Sequence, residues 1–281
     1  MSSLFSDRPL LWFGALLYLA GFAVGCLTLA RRKNSGGPHA ILTTLLAGGL
    51  FFQTTGLYLR GMAVGGCPLS NTFELFQFVA WSAMVLYFVV GATFRVSLLG
   101  LFTAGYAAAL AFISLLVPQW DVVRGLKIFG NNPWIEFHAA LAVFSYGVFG
   151  LLAVTSSMHL LQTFSLKNKK LDGFFWFLPS VVQLDQINFR FLLTGVALLT
   201  LSLGVGAAWW VRNTDSVDTA KLAITVGIWA AYAIASGLRW RGRLVSVRFA
   251  WVCIVMFALA LFSLQPVNAS RHLTAPVPAA R

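Results

Sequence analysis

Long apolar runs alternate with short polar stretches along the whole chain. The apolar runs cover residues 10–30, 40–59, 73–94, 96–118, 134–162, 189–211, 221–238 and 248–265. Each is close to the roughly 20 residues that an α-helix needs to cross the hydrocarbon core of a bilayer. The pattern therefore predicts an all-α, polytopic membrane protein with about eight transmembrane helices.

Two of the predicted helices have recognisable start signals. Asn71 precedes the third run and Glu74 follows three residues later, which matches a capping box. Asn132 and Pro133 open the fifth run, and a polar cap followed by proline is typical of a helix N-terminus. Residues 119–132, before that start, interleave apolar and charged side chains, which predicts a short amphipathic segment on the membrane surface.

The composition excludes a soluble protein of this length. Hydrophobic residues make up 59% of the 281 residues and charged residues 10%, and the mean hydropathy is +0.81. The eight apolar runs leave little chain for a separate soluble domain. The lipid bilayer is therefore the first partner that the sequence predicts.

The net charge of +12 is unevenly distributed along the chain. The first, third, fifth and seventh connections carry or border most of the basic residues, which are Arg31, Arg32, Lys33, Arg95, Lys167, Lys169, Lys170, Arg190, Arg239, Arg241, Arg243 and Arg248. By the positive-inside rule these connections face the cytoplasm, which predicts that both termini lie outside a cell (inner) membrane. The basic residues thus orient helices and do not indicate binding of nucleic acid.

The three cysteines stand far apart in the sequence. Cys26, Cys67 and Cys253 form neither a CxxC nor a CxxCH motif, so the sequence contains no dithiol redox motif and no motif for covalent haem attachment. Cys67 is predicted to lie on the outer side without an internal thiol partner, and we expect its role to be structural.

His138 is the most informative candidate residue, because it lies just inside the fifth apolar run. An imidazole at the mouth of a membrane helix needs a partner, which is either a backbone carbonyl or a metal. His159 shares the run but is about 30 Å further along the helix axis, so the two histidines cannot share one metal. His272 follows the last run on the predicted outer side, which makes it the possible second ligand.

Two histidines without further Cys or His ligands suit haem iron better than zinc. Tryptophans and basic residues on the same side could form the walls and the counter-charges of such a site: Trp120, Trp134, Trp209, Trp210, Arg60, Arg124, Lys127, Arg212 and Arg271. Glu74 either caps its helix or orients a ligand. Asp215 and Asp218 are more typical of an exposed loop than of an acid/base pair.

Three stretches resemble one known family. Residues 178–210 resemble a Leu-Pro, Leu-Asp-x-x-Asn-Tyr-Arg and Gly-Ala-x-Trp pattern, residues 68–81 resemble a Ser-Asn-x-x-Glu helix start, and residues 134–150 resemble an outer histidine helix. These are features of the cytochrome c assembly proteins of the CcsA/ResC type (System II) and of their HemX-like relatives. The resemblance divides the chain into N-terminal helices (1–64), an assembly-type domain (65–270) and a short polar outer tail (271–281).

The resemblance also implies a site and a function. It implies that His138 and His272 bind haem b as metal ligands, and that Glu74, Trp209 and Trp210 belong to the cofactor site. The family's tryptophan-rich loop corresponds to TDSVDT here, which keeps Asp215 and Asp218 but lacks the tryptophans, as in HemX-like members. The implied protein is not an enzyme. It handles haem in cytochrome c biogenesis, together with a membrane partner that has an outer domain.

Two alternatives remain open. A HemX-like protein could regulate tetrapyrrole biosynthesis without holding haem stoichiometrically. A small-molecule permease is less favoured, because the sequence shows no internal repeat. Its polar track would run along Gln53, Thr54, Thr55 and the serines of the fifth run.

Overall fold

The computed structural model describes residues 7–30, 37–94, 98–121, 132–169, 179–211 and 219–273. These residues form α1 (Asp7–Ala30), α2 (Gly37–Val64), α3 (Thr72–Phe94), α4 (Leu99–Leu116), a 3-10 helix (Pro118–Asp121), α5 (Pro133–Lys167), α6 (Val181–Trp210), α7 (Thr219–Trp240) and α8 (Ser246–Leu273). Every α-helix contains a segment long and apolar enough to cross a membrane. The prediction of an all-α protein with eight transmembrane helices is confirmed.

Both helix starts that the sequence predicts are present. The Asn132 side-chain oxygen accepts a hydrogen bond from the Trp134 amide at 3.0 Å, with Pro133 as the first residue of α5. The Asn71 side-chain oxygen accepts from the Glu74 amide at 2.9 Å. The Glu74 carboxylate reaches one residue further back than in a capping box, because it accepts from the Ser70 amide at 2.5 Å and the Ser70 hydroxyl at 2.7 Å.

Most helices are longer than their apolar runs, and the difference is largest for α2, α6 and α8. α2 continues past the predicted end at residue 59 to Val64, and α8 continues past residue 265 to Leu273, which includes the first residues of the predicted polar tail. α6 begins at Val181, eight residues before its apolar run. Its start is a complete capping box, because Ser180 and Gln183 exchange hydrogen bonds of 3.2 Å.

Consecutive helices run antiparallel, and the contacts between α5 and α6 are one example. A Cβ atom on Gly195 in the middle of α6 would lie 2.3 Å from Phe149, and one on Gly206 near its end would lie 2.7 Å from His138. The odd-numbered helices therefore begin, and the even-numbered helices end, at one end of the bundle, which we call the His138 end. The opposite end is the His159 end.

The buried interior is built around α5, which packs against α3, α6 and α8. Polar side chains of this helix face inward, since Ser145, Ser156 and His159 are fully buried. Between them the Phe149 ring stacks on Tyr232, with ring centroids 3.7 Å apart. α5 thus forms a central column, with one histidine near each end.

Candidate functional site

His138 is held by α6. Its Nδ1 atom lies 2.7 Å from the backbone oxygen of Ser202 and 3.1 Å from the Ser202 hydroxyl. That hydroxyl in turn donates to the backbone oxygen of His138 at 2.9 Å. Two adjacent helices are therefore cross-linked by three polar contacts at this one pair of residues.

These contacts define the tautomer of the imidazole. A carbonyl oxygen can only accept a hydrogen bond, so in the neutral imidazole the proton lies on Nδ1 of His138 and the lone pair on Nε2. Among the described residues, none hydrogen-bonds to Nε2. An Nδ1–H donated to a backbone carbonyl is the arrangement that orients a metal-binding histidine. The two partners that the sequence left open for His138 are therefore compatible, because each uses a different ring nitrogen.

Gly206 provides the space for the His138 ring. A Cβ atom at this position would lie 2.7 Å from Cε1 and 2.9 Å from Nδ1 of the imidazole, closer than any side chain permits. The last turn of α6 then carries Trp209, which is half-buried, and Trp210, which is more exposed. Both predicted tryptophans thus lie on the helix that orients His138, within one turn of Gly206.

The helix α8 brings His272 to the level of His138. Near the His159 end, His159 Nε2 lies 3.5 Å from the Ser246 hydroxyl, and in the middle Tyr146 lies beside Ser263. From this second contact, His138 is eight residues back along α5 and His272 is nine residues on along α8. The two positions therefore reach the same end of the bundle on neighbouring helices. For the last turns of α8 the structure describes the backbone alone.

Sequence reasoning missed Ser202 and Gly206. Both lie in the apolar run of α6, four residues apart and therefore on one face of the helix. A hydroxyl followed one turn later by a glycine, inside a membrane helix, was the available signal. This spacing indicates a site only once the structure shows that the antiparallel pairing of α6 with α5 places that face opposite His138.

Arg60 lies in a buried ion cluster, which we call the Arg60 cluster. Its Nε donates to Glu74 at 2.6 Å, its Nη1 donates to Asp7 at 2.7 Å, and its Nη2 pairs with Asp121. The prediction that Arg60 serves as a counter-charge for a cofactor is wrong, because the guanidinium is fully buried among these carboxylates. Glu74 belongs to this cluster and is not among the hydrogen-bond partners of His138.

Comparison with known proteins places this architecture in a family. Residues 69–272, from just before α3 to His272, match the family described as Cytochrome C assembly protein. The chain belongs to this family. The match includes α5, α6 and both histidines of the His138 end, and it confirms the resemblance that the sequence motifs indicate.

Three relatives show the range of the family. HemX from Brevibacillus brevis is 29% identical over 68% of this chain and 71% of its own length. NrfI from Wolinella succinogenes is 33% identical, but this chain covers only 17% of that protein. The cytochrome c biogenesis protein CcsA from Thermosynechococcus vestitus is 26% identical over 86% of this chain and 89% of its own length. The second relative is thus far larger than the part that matches.

The remaining residues that the sequence predicts for the site are not all brought together. Trp120 packs against Phe76, with ring centroids 4.9 Å apart, on the side of α3. Trp134 is largely exposed at the start of α5. Several others lie outside the described residues: Asp215, Asp218, Arg124, Lys127 and Arg212. The side chain of Arg271 is likewise outside them.

His159 belongs to a separate polar cluster at the other end. It is fully buried, and the adjacent ends of α6 and α7 contribute an ion pair between Asp185 and Arg239. The side-chain amide of Asn188, also fully buried, makes no hydrogen bond through either atom in the part of the chain that the structure describes. Within those same residues, no group of three His, Cys, Asp or Glu side chains could hold a metal ion.

The polar residues of the permease alternative do not form one track. Gln53 is buried and accepts a hydrogen bond from Tyr18 at 2.8 Å, and its amide donates to Gln77 at 2.9 Å. Thr54 and Thr55 instead donate to carbonyls of their own helix, at 2.7 and 2.9 Å. Gln53 therefore joins α2 to α1 and α3.

Cys67, between α2 and α3, is expected to react slowly with alkylating reagents. Burial, with smaller effects of Glu136 and Glu74, raises the pKa of its thiol to about 12. Because the thiolate is the reactive form, alkylation by iodoacetamide at pH 8 should be on the order of 1,000-fold slower than for an unperturbed thiol.

Glu136→Gln should speed the alkylation of Cys67, since it removes a negative charge that raises the pKa of the thiol. Peptide mass spectrometry measures the rate, and the denatured protein is the control. A native rate equal to the denatured rate would contradict this expectation.

Proposed function

We propose that this chain binds haem b at the His138 end and handles it in cytochrome c biogenesis. The observation that carries the proposal is the His138 imidazole, whose Nδ1 is bound to Ser202 and whose Nε2 is left with a lone pair. The relatives named CcsA are described as cytochrome c biogenesis proteins, which supports the same process for this chain.

His272 is the proposed second ligand. Haem iron accepts two axial imidazoles, and this requires two histidines that reach one site from different elements. The contacts of Tyr146 with Ser263 and of His159 with Ser246 set α8 against α5 in a register that supports this pairing. Trp209 and Trp210 offer apolar surface beside the proposed site. Asp215 and Asp218 follow α6 in the sequence, and we include them in the site on the resemblance alone.

The protein in this proposal is a carrier. Bound haem supplies the redox-active iron, while the chain supplies ligands, orientation and an apolar environment. His138 binds, Ser202 orients the ring and Gly206 leaves room for it. Delivery to an apocytochrome at the outer face of an inner membrane would require a partner with an outer domain, as the family resemblance implies.

A HemX-like role is the second candidate function. Two of the matching relatives, from Brevibacillus brevis and Bacillus subtilis, carry the name HemX. A regulator of tetrapyrrole biosynthesis needs no stoichiometric haem. The amount of haem bound per protein therefore separates the two functions.

An absorption spectrum of the protein purified in detergent from haem-replete cells tests the proposal. We expect a six-coordinate, low-spin haem spectrum for the wild type and at least a tenfold loss of haem content in His138→Ala and in His272→Ala. His159→Ala is the matched control, because it removes the other histidine of α5, and it should retain the spectrum. A colourless wild-type protein would contradict haem carriage and favour the regulatory role. Equal loss in all three variants would contradict the assignment of the ligands.

A further inference from the structure

The connection between α7 and α8 is a hydrogen-bonded turn. Residues 241–245 join the two helices, and Gly242 has a φ of +69°, which glycine adopts readily. The amides of Arg241, Gly242 and Arg243 donate to carbonyls of the last turn of α7, each at 3.0 Å. These hydrogen bonds attach the backbone of the turn to the end of α7, and so they set the positions from which its side chains extend.

Three arginines on and beside this turn carry unpaired charge. Arg241, Arg243 and Arg248 are exposed and form no ion pair with any residue that the structure describes. Their neighbour Arg239 is different, because it is partly buried and pairs with Asp185. Residues 219–273 contain no aspartate or glutamate at all. The turn thus presents three guanidinium groups without a counter-ion from its own helices.

Apolar surface adjoins these arginines on the sides of the helices. Trp240 at the end of α7 is 78% exposed, and Trp251 in the second turn of α8 is 56% exposed. Ile234 and Val255, further into the spans, are also largely exposed. Exposed tryptophan at the end of a membrane helix marks the level of the lipid headgroups. A ligand that satisfies both parts of this surface has an anionic head and an apolar tail.

We propose that the turn 241–245, with Arg248, is a binding site for the phosphate headgroup of an anionic phospholipid. The guanidinium groups bind the phosphate oxygens, for which the planar fork of arginine is well suited. The acyl chains lie along the exposed faces of α7 and α8. A lipid fits better than a soluble anion or a nucleic acid, because the arginines adjoin membrane-spanning helices with exposed apolar side chains.

The lipid should also stabilise the helix pair. α7 is the least buried of the eight spans. A headgroup bound between its end and the start of α8 would hold the two helices together, and this effect can be measured as a melting temperature.

The test compares wild-type protein in detergent with added phosphatidylglycerol, phosphatidylcholine or inorganic phosphate. We expect phosphatidylglycerol to raise the melting temperature and to remain bound in native mass spectrometry, with at least tenfold preference over phosphatidylcholine. The variant Arg241→Gln/Arg243→Gln/Arg248→Gln should lose this preference while melting like the wild type in phosphatidylcholine, since its altered side chains are exposed.

A control removes two exposed positive charges elsewhere at the same end. Lys167 and Lys169, at the end of α5, are exposed and have no acidic partner among the described residues. Lys167→Gln/Lys169→Gln should keep the preference for phosphatidylglycerol. Equal loss in both variants would overturn the site, because the effect would then come from general basic charge. Stabilisation by inorganic phosphate at the same concentration as the lipid would also overturn it, by showing that the apolar tail is not recognised.

Discussion

Replacing Arg60 with alanine is expected to destabilise the folded protein by about 3–5 kcal/mol, the usual effect of removing one partner from a buried ion pair. Arg60 is fully buried, and its guanidinium contacts carboxylates from α1, α3 and the 3-10 helix. Without it, Glu74 and Asp121 remain buried as negative charges that the Arg60 guanidinium no longer compensates. We expect the variant to accumulate poorly in the membrane and to melt well below the wild type in detergent.

Arg60→Lys should restore only part of the stability. A lysine ammonium is a single point charge, whereas the guanidinium donates through separate nitrogens to three carboxylates. The guanidinium also lies over the Phe73 ring, 4.5 Å from its centroid, and a lysine would lose part of this contact. The order of melting temperatures should therefore be wild type, Arg60→Lys and then Arg60→Ala.

Arg8→Ala is the control for the Arg60 cluster. Arg8 lies 3.8 Å from Asp121, but its side chain is partly exposed, and such pairs contribute about 0–1 kcal/mol. Adding Glu74→Gln to Arg60→Ala removes one of the uncompensated charges, so the double variant should melt higher than Arg60→Ala alone. An Arg60→Ala protein as stable as Arg8→Ala would contradict the structural role of the cluster.

The Arg60 cluster also shows where sequence reasoning reached its limit. The apolar run of the second span ends at residue 59, which places Arg60 outside the membrane as an available positive charge. The helix continues to Val64, so the same residue lies inside the bundle and needs buried partners. Asp7 and Asp121 are far from it in sequence. Hydrophobicity predicts how many helices there are, but it does not predict which polar residues meet between them.

The start of α6 is an example in which a local sequence signal predicts the structure better than average hydrophobicity does. Ser180 and Gln183 form a complete capping box at the true start of the helix. The first turns also contain polar residues, such as Asp185 and Asn188, so the apolar run begins eight residues after the helix does. A local capping signal was more reliable here than average hydrophobicity. The start of α5 was correct for the same reason, because Asn132 and Pro133 identify it by local chemistry.

Gly206→Ala is expected to lower haem affinity by about 10–100-fold, the usual effect of disturbing a residue that orients a metal ligand. The carbonyl of Ser202 that fixes His138 cannot be removed by substitution, but the ring can be displaced from it. A Cβ atom on Gly206 would lie 2.7 Å from Cε1 of the imidazole, so the ring must move and its 2.7 Å contact with the carbonyl must be lost. The backbone can stay in place, because the conflict is with the end of a side chain.

Gly204→Ala is a closely matched control, since it makes the same change two residues earlier on the same helix. A Cβ atom on Gly204 meets no atom within 4 Å. Both substitutions also favour helix formation by about 0.5–1 kcal/mol, so loss of folding should not explain a difference between them. Titration of the haem-free variants with haem, followed by absorption, measures the affinities. If Gly206→Ala bound haem as tightly as Gly204→Ala, the orientation of His138 by α6 would have no part in haem binding.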